Sequence, residues 1–470
     1  MEICTVGGYE EVGKNMTAVK VGEDVFIFDM GLNIPGIVEL QEEDLLEYSS
    51  RNRNNPKSKN DSGPRGRTPL PTEGKLREFG AVPDDRVLDK LGWREKVRAI
   101  FIGHAHLDHV GAVPYLIHRY PDVPIYASPF TMKFLETVLK NEKVKFNNPL
   151  KIVKPDSSQT IKGKTGSYTV DFIHTTHSTL DCTFLALHTP KGIFFYALDL
   201  KFDNHPTMGE PPNYKKMKEI GKKNIKVLVL DSLYSSTEKK PGSETVARHL
   251  LEDAISKVQN SKGAIFITTF SSHIERLNSI VEFAKKTGRE IIFLGRSLNK
   301  YVEVAIGINK CPFKNKVKLV KYRKQINSTL AKIGKNRNKY LVVCTGHQAE
   351  ENSMLDRIAR GETPFEFKEG DNLIFSSSII PVPINIAARA KMDSKLKRIG
   401  VRIQTDVHVH GHGSREDMRD LLRMVRPKHV IPSHGSLQQE TPFIELATEF
   451  GYKFGENSHL SSNGKVLKFD

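Results

Sequence analysis

Three histidines and one aspartate lie within six residues of this chain, directly after an apolar segment. The run His104-Ala105-His106-Leu107-Asp108-His109 follows residues 97–103 (VRAIFIG), whose β-branched and aromatic content predicts a strand. On an extended segment, side chains two positions apart point to the same side, so His104 and His106 can face one site. Asp108 and His109 can serve a second site after the chain turns. Because zinc accepts imidazole nitrogen and carboxylate oxygen, the run predicts a metal centre.

Further metal-binding side chains lie at the ends of other predicted strands. His177 follows the strand through Phe172, Asp199 ends the segment GIFFYALD, and His434 lies in VIPSHG. Taken singly, each would more often be an ordinary strand-end residue. A pair of metal sites needs a bridging ligand and more imidazoles, and these three residues supply them.

Composition favours a polyanionic partner and excludes several protein classes. The chain has 470 residues, 38% of them hydrophobic, and a formal net charge of +16. No run approaches 18 apolar residues, which argues against a membrane span, and the start MEICTVGGYEEVGKN does not resemble a secretory signal. The four cysteines are far apart in sequence and form no CxxC pair. We therefore expect a cytoplasmic protein.

The positive charge is concentrated in two segments. Residues 301–340 contain eleven Lys or Arg and one acid, a net of +10. Residues 51–75 have seven basic and two acidic residues, a net of +5, and are rich in Asn, Ser, Pro and Gly. The first segment is either a solvated face or a polyanion contact. The second is typical of a loop or insertion, and a loop that grips a phosphate backbone is the less favoured interpretation.

The order of predicted strands and helices suggests one domain inserted into another. Short strands separated by loops precede residue 210, including residues 25–29, 125–128, 168–175, 182–189 and 192–199. Five apolar strands then alternate with helices at 244–258, 273–286 and 298–308, which predicts a parallel sheet; these strands are residues 225–232, 263–270, 289–295, 340–346 and 372–378. The end of the chain again resembles the part before residue 210. Strands are predicted there at 402–411, 429–435 and 465–470, and helices at 414–425 and near 443–450. The predicted segments are 1–210, an insertion at 211–385, and 386–470.

Asp29, the HxHxDH run, His177, Asp199 and His434 together resemble the metallo-β-lactamase superfamily. The inserted layer resembles the β-CASP insertion found in nucleases of that superfamily. The resemblance implies an α/β fold, namely an αββα sandwich with an inserted β-CASP domain built on a Rossmann-like parallel sheet. It also implies that one zinc is held by His104, His106 and His177 and a second by Asp108, His109 and His434. Asp199 would bridge the two ions, and Asp29 would orient an imidazole.

Several motifs narrow the resemblance to ribonuclease J. Asp231 in VLDS matches the first acidic β-CASP motif, His412 in HVHGHGSREDM matches the second, and His434 matches the third. Residues 268–280 (TTFSSHIERLNSI), 295–298 (GRSL) and 376–385 (SSSIIPVPIN) resemble the same family. By this resemblance we expect a protein without the additional C-terminal domain of bacterial members, as in the archaeal branch. It departs from the family at His410, where serine is usual, and in DSLYSS, which lacks a second acid.

This resemblance implies a zinc-dependent ribonuclease that acts in RNA decay and maturation, with manganese as an alternative metal. A water activated by two metal ions would attack the scissile phosphorus, with Asp108 or Asp199 as proton acceptor. His412 would donate a proton to the leaving oxygen or hold a phosphate oxygen. By the same resemblance, we expect 5′-to-3′ exonuclease action on single-stranded RNA with a 5′-monophosphate, and a homodimer.

Hydroxyl and glycine residues at the ends of parallel strands suit phosphate binding. The expected RNA-binding residues, which by another interpretation only cap helices, are Ser271, Ser272, Arg276, Arg296, Thr345, Gly346, Ser376, Ser377, Ser378 and His410.

Three alternatives remain open from the sequence. The first is an endonuclease of the same superfamily, acting on RNA 3′ ends or on DNA. The second is a small-molecule hydrolase such as a lactamase or thioesterase, which the inserted layer and the basic segment disfavour. The third is an RNA-binding scaffold without metal, which the complete ligand set disfavours.

Overall fold

The computed structural model describes residues 1–33, 72–380 and 383–470. Residues 51–71, most of the basic segment predicted as a loop, lie outside the described residues. The described strands are β1 (Glu2–Gly7), β2 (Met16–Val21), β3 (Asp24–Phe28), β4 (Val97–Ile102), β5 (Ile125–Ala127), β6 (Leu150–Ile152), β7 (Ser157–Lys162), β8 (Ser167–His174), β9 (Thr183–Thr189), β10 (Gly192–Ala197), β11 (Ile225–Asp231), β12 (Ile265–Thr268), β13 (Glu290–Leu294), β14 (Lys318–Val320), β15 (Tyr340–Cys344), β16 (Asn372–Phe375), β17 (Arg402–Gln404), β18 (His429–Ser433) and β19 (Lys465–Lys468).

Helices cover the outer faces of the sheets. The described α-helices are α1 (Glu73–Glu78), α2 (Arg86–Lys90), α3 (Leu107–Val110), α4 (Val113–Leu116), α5 (Pro129–Asn141), α6 (Tyr214–Gly221), α7 (Glu244–Val258), α8 (Ile274–Ala284), α9 (Arg296–Gly307), α10 (Arg323–Lys335), α11 (Met354–Arg360), α12 (Pro383–Ile399), α13 (Arg415–Val425) and α14 (Leu437–Thr448). Short 3-10 turns lie at Arg94–Lys96, Ile117–Arg119, Lys285–Thr287 and Arg337–Lys339. Within the described ranges, no helix is both long and apolar enough to cross a bilayer.

Two mixed sheets face each other and form the first domain. The seven-stranded sheet has the order β19-β1-β2-β3-β4-β5-β6, and the six-stranded sheet has the order β18-β11-β10-β9-β8-β7. Aromatic side chains fill the space between them; Phe28, for example, lies 4.9 Å from Phe194 and 5.3 Å from Phe101 between ring centroids. Helices pack on the outer face of each sheet through two further apolar clusters. The predicted αββα sandwich is therefore confirmed.

The inserted domain is a six-stranded, fully parallel sheet with the order β14-β13-β15-β12-β16-β17. Its four central strands, β13, β15, β12 and β16, are largely buried apolar runs, because helices cover both faces of the sheet. One of these two apolar clusters continues into the helical face of the first domain, where Tyr301 of α9 stacks on Phe134 of α5. The predicted parallel layer is present, and it is packed firmly against the first domain.

Strand pairing contradicts the predicted segment boundaries at 211 and 385. β11 pairs with β10 and β18 in the first domain, although its apolar run resembles a strand of the inserted sheet. The reason is that β11 has a neighbour on each side and is buried on both faces in either setting. At the other end, β17 pairs with β16 and therefore belongs to the inserted sheet. The sheet of the insertion thus extends from β12 to β17.

The strand predicted at 402–411 ends much earlier, at Gln404. Residues 405–413 form an irregular segment that returns the chain to the first domain. The prediction extended the strand to residue 411, but this segment makes side-chain and carbonyl contacts at the site described below.

Arg276, predicted to contact phosphate, is instead completely buried inside the inserted domain. Its guanidinium donates to Glu244 at 2.7 Å and to the carbonyl oxygen of Ser376 at 3.0 Å. Glu244 is itself only 2% exposed, so the pair joins α8 to α7 in the absence of solvent. A solvent-borne phosphate has no access to this side chain, and its role is structural.

The buried pair predicts a large stability effect. Arg276→Met should lower the free energy of unfolding by about 3 to 5 kcal/mol, because Glu244 would remain as an unpaired buried charge. Arg296→Met is the matched control: Arg296 is exposed, and its loss should change the free energy by less than about 0.5 kcal/mol. Urea denaturation measures both values. Equal effects of the two substitutions would contradict the structural assignment of Arg276.

Candidate metal centre

The HxHxDH run turns sharply at the end of β4. His104 is fully buried directly beyond the strand, and α3 begins after His106, which places Asp108 and His109 on the first turn of a short helix. The backbone of this helix is fixed by the segment after β3: Met30 N–H donates to the carbonyl of His109 at 2.7 Å, and Leu32 N–H to that of Leu107 at 2.9 Å. A Cβ at Gly31 would overlap the carbonyl oxygen of Asp108, so only glycine permits this close approach.

The first group of ligand atoms comes from His104, His106, His177 and Asp199. His106 Nδ1 lies 3.0 Å from His104 Nε2 and 3.0 Å from His177 Nε2. All four residues offer a ligand atom within 4.8 Å of one another. Three ring nitrogens directed at one point match the donor set of a metal ion.

The second group consists of Asp108, His109 and His434, whose ligand atoms also lie within 4.8 Å of one another. Asp108 Oδ2 is 3.6 Å from His109 Nε2 and 3.7 Å from His434 Nε2. His412 and His434 form a further such group with Asp199. The structure therefore brings all seven residues predicted as metal ligands into one site.

Asp199 lies between the two groups and provides the test of whether a metal fits. Its carboxylate is fully buried, and His104, His109 and His177 have their Nε2 atoms 3.4, 3.2 and 3.4 Å from Oδ2. Nevertheless, neither carboxylate oxygen receives a hydrogen bond of normal geometry from the described residues. A buried anion without hydrogen bonds is costly, whereas metal coordination would satisfy both oxygens. The residues present therefore fit a metal centre.

Four imidazoles have their second nitrogen engaged, which directs the first one at the site. His109 Nδ1 donates to Asp29 at 2.7 Å, and His177 Nδ1 to the Gly411 carbonyl at 2.7 Å. His434 Nδ1 is 3.1 Å from Asn15 Oδ1. His106 Nε2 is 2.8 Å from Ser272 Oγ. Asp29 thus orients His109.

Sequence reasoning did not identify Asn15 or Gly411 as part of the site. Asn15 connects two ligands, because its side-chain amide also donates to the Asp108 carbonyl at 3.0 Å. Its only signal in the sequence was a position shortly before β2, in a segment rich in glycine. Gly411 acts through its backbone carbonyl, which no side-chain motif can reveal.

The protonation state of three of the imidazoles suits metal binding. Burial, aided by the charge of neighbouring imidazoles, lowers the pKa of His104 to about 4 and that of His106 to about 3. Burial likewise depresses the pKa of His177 well below its usual value. These three rings are neutral at pH 7 and keep a lone pair available. Burial opposes the charged form of His109, but Asp199 and Asp29 outweigh it and raise that pKa.

Two residues of the site have left-handed backbone conformations. Asp29 has φ 62° and His434 has φ 61°, backbone values that residues other than glycine adopt only rarely. The His434 N–H donates to the Gly8 carbonyl at 2.6 Å, and the Asp29 N–H to the Phe101 carbonyl at 2.8 Å. These bonds hold a strained backbone where a side chain must be aimed.

His412 lies beside the metal ligands and is held by Asp231. Its Nδ1 is 2.7 Å from Asp231 Oδ2, and its ring stacks 5.5 Å from that of His434. Burial lowers the pKa of His412, but the charges of Asp231 and Asp199 prevail and raise it to about 9. The resulting imidazolium can donate a proton or bind a phosphate oxygen through Nε2.

The residues predicted to bind RNA divide into accessible and engaged ones. Ser376 is buried and donates to the Val407 carbonyl, and Ser272 is bonded to His106, so neither hydroxyl is free. A Cβ at Gly346 would collide with Ser353 and Leu355, which gives that glycine a packing role. Ser377 is also buried. Ser271, Arg296, Thr345, Ser378 and His410 are at least partly exposed and lie at or near the carboxyl ends of the inserted strands.

Part of the basic stretch 301–340 has a structural role. Four of its eleven cations pair with acids: Lys310 with Asp181, Lys318 with Glu290, Lys321 with Glu303, and Arg337 with Asp371. The Lys310 pair connects the two domains. The remaining cations of this stretch make no ion pair with another described residue.

Comparisons with protein families match three consecutive parts of the chain. Residues 61–203 match the metallo-β-lactamase superfamily, and residues 262–391 match the ribonuclease J β-CASP domain. Residues 398–458 match a family described as the Zn-dependent metallo-hydrolase RNA specificity domain. The order of these matches agrees with an inserted domain.

Named relatives match over the full chain. Ribonuclease J of Methanocaldococcus jannaschii is 37% identical over 472 residues, covering 100% of this chain and 99% of that protein. Ribonuclease J of Pyrococcus abyssi is also 37% identical, covering 100% of this chain and 97% of that protein. Ribonuclease J 1 of Streptococcus pyogenes is 27% identical, covering 99% of this chain and 74% of that protein.

A crystal structure of a protein of unknown function from Enterococcus faecalis V583 has the same fold. It aligns with a TM-score of 0.62 at 17% identity, and the alignment covers 99% of each chain. Since the archaeal relatives match from end to end, and all three parts of the domain arrangement are present, the chain belongs to the ribonuclease J family.

Proposed function

We propose that this chain is a metal-dependent ribonuclease that degrades single-stranded RNA from its 5′ end, with two zinc ions as cofactors and manganese as an alternative. The observation that carries the proposal is the buried Asp199 carboxylate, which lies between two groups of ligands without a hydrogen bond from the described residues. The named relatives support RNA as the substrate.

The ions would be held by His104, His106 and His177 on one side and by Asp108, His109 and His434 on the other, with Asp199 between them. When bound, they would supply an activated water and neutralise charge on the phosphate oxygens. Nitrogen donors dominate the first group, which favours zinc, whereas the carboxylates suit manganese as well.

His412 is the proposed proton donor to the leaving oxygen. Asp231 accepts from its Nδ1, so the tautomer and orientation of the ring are fixed and Nε2 faces the site. Asp231 also stabilises the imidazolium, since its own carboxylate is buried and close. Asp108 is only partly buried and is the proposed acceptor of the proton from the attacking water.

RNA is proposed to bind in a cleft between the two domains, beside the metal centre. Arg296 begins α9, is exposed, and makes no ion pair with another described residue. Ser271 and Ser297 share a hydrogen bond at 2.8 Å at the same edge of the inserted sheet. His410 and Ser378 lie 3.5 Å apart on the other side of this edge. These polar groups can contact successive phosphates, and one of them would hold the 5′-monophosphate.

We also propose that the protein is cytoplasmic, that it forms a homodimer, and that it acts in RNA decay and maturation. The four cysteines are free and buried, which fits a reducing compartment. The homodimer is an expectation from the family, and light scattering would measure it.

Digestion of 5′-labelled RNA tests the direction of cleavage. With a 5′-monophosphate, the label should be released as a mononucleotide, and a blocked 5′ end should slow the reaction strongly. Exclusive cleavage at internal sites, independent of the 5′ group, would contradict the exonuclease proposal and favour an endonuclease.

The role of His412 predicts a large loss of turnover. His412→Ala should reduce kcat by about 100-fold or more, because a positioned general acid contributes at least this factor. His249→Ala serves as a control, since His249 is exposed on α7 and should leave kcat unchanged. If His412→Ala retains most of the activity, the leaving group is protonated by another residue.

Asp231→Asn should change the pH dependence in a defined direction. The acid is active when protonated, so activity falls as pH rises through the pKa of His412, which Asp231 and Asp199 raise to about 9. Removing the charge of Asp231 lowers this pKa and moves the alkaline fall of kcat/KM to lower pH. An unchanged alkaline limb would mean that His412 does not act as the acid.

A further inference from the structure

The inserted domain contacts the metal-binding run at two neighbouring points. Ser272 Oγ lies 2.8 Å from His106 Nε2, and the Tyr301 hydroxyl donates to the carbonyl of Ala105 at 3.0 Å. Ser272 and Tyr301 are each only 5% exposed. Two side chains of the inserted domain therefore hold His106 of the first domain, one through its ring and one through the preceding peptide.

His106 differs from other imidazoles of the centre in where its partner comes from. His109 is oriented by Asp29 and His434 by Asn15, and both partners belong to the first domain. Since Nδ1 of His106 faces the first ligand group, its Nε2 carries the proton when Nδ1 binds a metal, and Ser272 Oγ is placed to accept it. The contact sets the tautomer and the tilt of the ring.

Ser272 belongs to the loop that forms the floor of the proposed RNA cleft. The loop connects β12 to α8, and Thr269 secures it by donating to the Ser376 carbonyl at 2.9 Å. The adjacent Ser271 is partly exposed and shares a hydrogen bond of 2.8 Å with Ser297. RNA that contacts Ser271 would therefore change the conformational freedom of the same loop that positions His106.

Tyr301 adds a second, rigid contact. Its ring stacks on Phe134 with centroids 4.5 Å apart and an angle of 14° between the planes. This stacking fixes the hydroxyl against the peptide between His104 and His106.

We infer that Ser272 and Tyr301 are positioning residues through which the inserted domain sets metal affinity at the group of His104, His106 and His177, so that RNA binding and metal binding are coupled. The inference rests on the proposed metal centre and RNA cleft. Because such coupling is reciprocal, RNA bound in the cleft raises the affinity for this metal ion, and the metal ion raises the affinity for RNA by the same factor. The second group, which is oriented by Asp29 and Asn15, is affected much less.

Zinc affinity of the full chain, measured by competition with a chromogenic chelator, tests the inference. Ser272→Ala should weaken one of two zinc ions by about 10-fold to 100-fold, the range found when a partner of a metal-bound histidine is removed. Tyr301→Phe, which removes only the hydroxyl, should weaken the same ion several-fold. Ser256→Ala, at an exposed position of α7, is the matched control and should leave both zinc affinities unchanged. Circular dichroism and melting temperature check that each variant is folded.

The coupling has its own readout. A 5′-monophosphorylated phosphorothioate RNA, which resists hydrolysis, should tighten the weaker zinc of the wild type several-fold and should lose this effect in Ser272→Ala. If the wild type binds no zinc and no manganese, the proposed function itself fails. If the wild type binds two ions, and Ser272→Ala and Tyr301→Phe bind them equally well with or without RNA, the metal centre stands and the inference is overturned.

Discussion

The structure depends on one buried charge, the carboxylate of Asp199. It is fully buried, receives no hydrogen bond of normal geometry from the described residues, and has three imidazole nitrogens within 3.4 Å of Oδ2. Left without any partner, such a carboxylate would destabilise the fold by several kcal/mol, and metal ions at the two ligand groups would offset this cost. Strand ends from both facing sheets, together with the loop after β18, are arranged around this requirement.

The strain and the packing near the site follow from the same requirement. Asp29 and His434 keep left-handed backbones because each must aim a side chain at the centre, and Gly31 permits the helix with Asp108 to lie directly against the segment after β3. The inserted domain then covers the open side. Its contact with His106 through Ser272 joins the loop between β12 and α8 to a residue of the candidate metal centre in one hydrogen-bonded unit.

Much of this organisation could be predicted from the sequence, because ligand identity and strand ends are local features. The HxHxDH run, His177, Asp199 and His434 converge as a strand-end pattern indicates. What failed depended on tertiary context. The β11 run is apolar in either sheet, so its place could not be predicted, and Arg276 looks like a phosphate ligand until Glu244 is found beside it. Asn15 and the Gly411 carbonyl act through geometry that no motif records.

The central claim is that one metal site lies among His104, His106, His177 and Asp199 and a second among Asp108, His109, His434 and the same Asp199. Anomalous X-ray diffraction from zinc-loaded crystals, recorded on both sides of the zinc absorption edge, tests it most directly. The account predicts two anomalous peaks per chain, one within each group of ligands, with Asp199 in contact with both. A map without peaks at these residues, or with zinc bound only elsewhere on the chain, would contradict it.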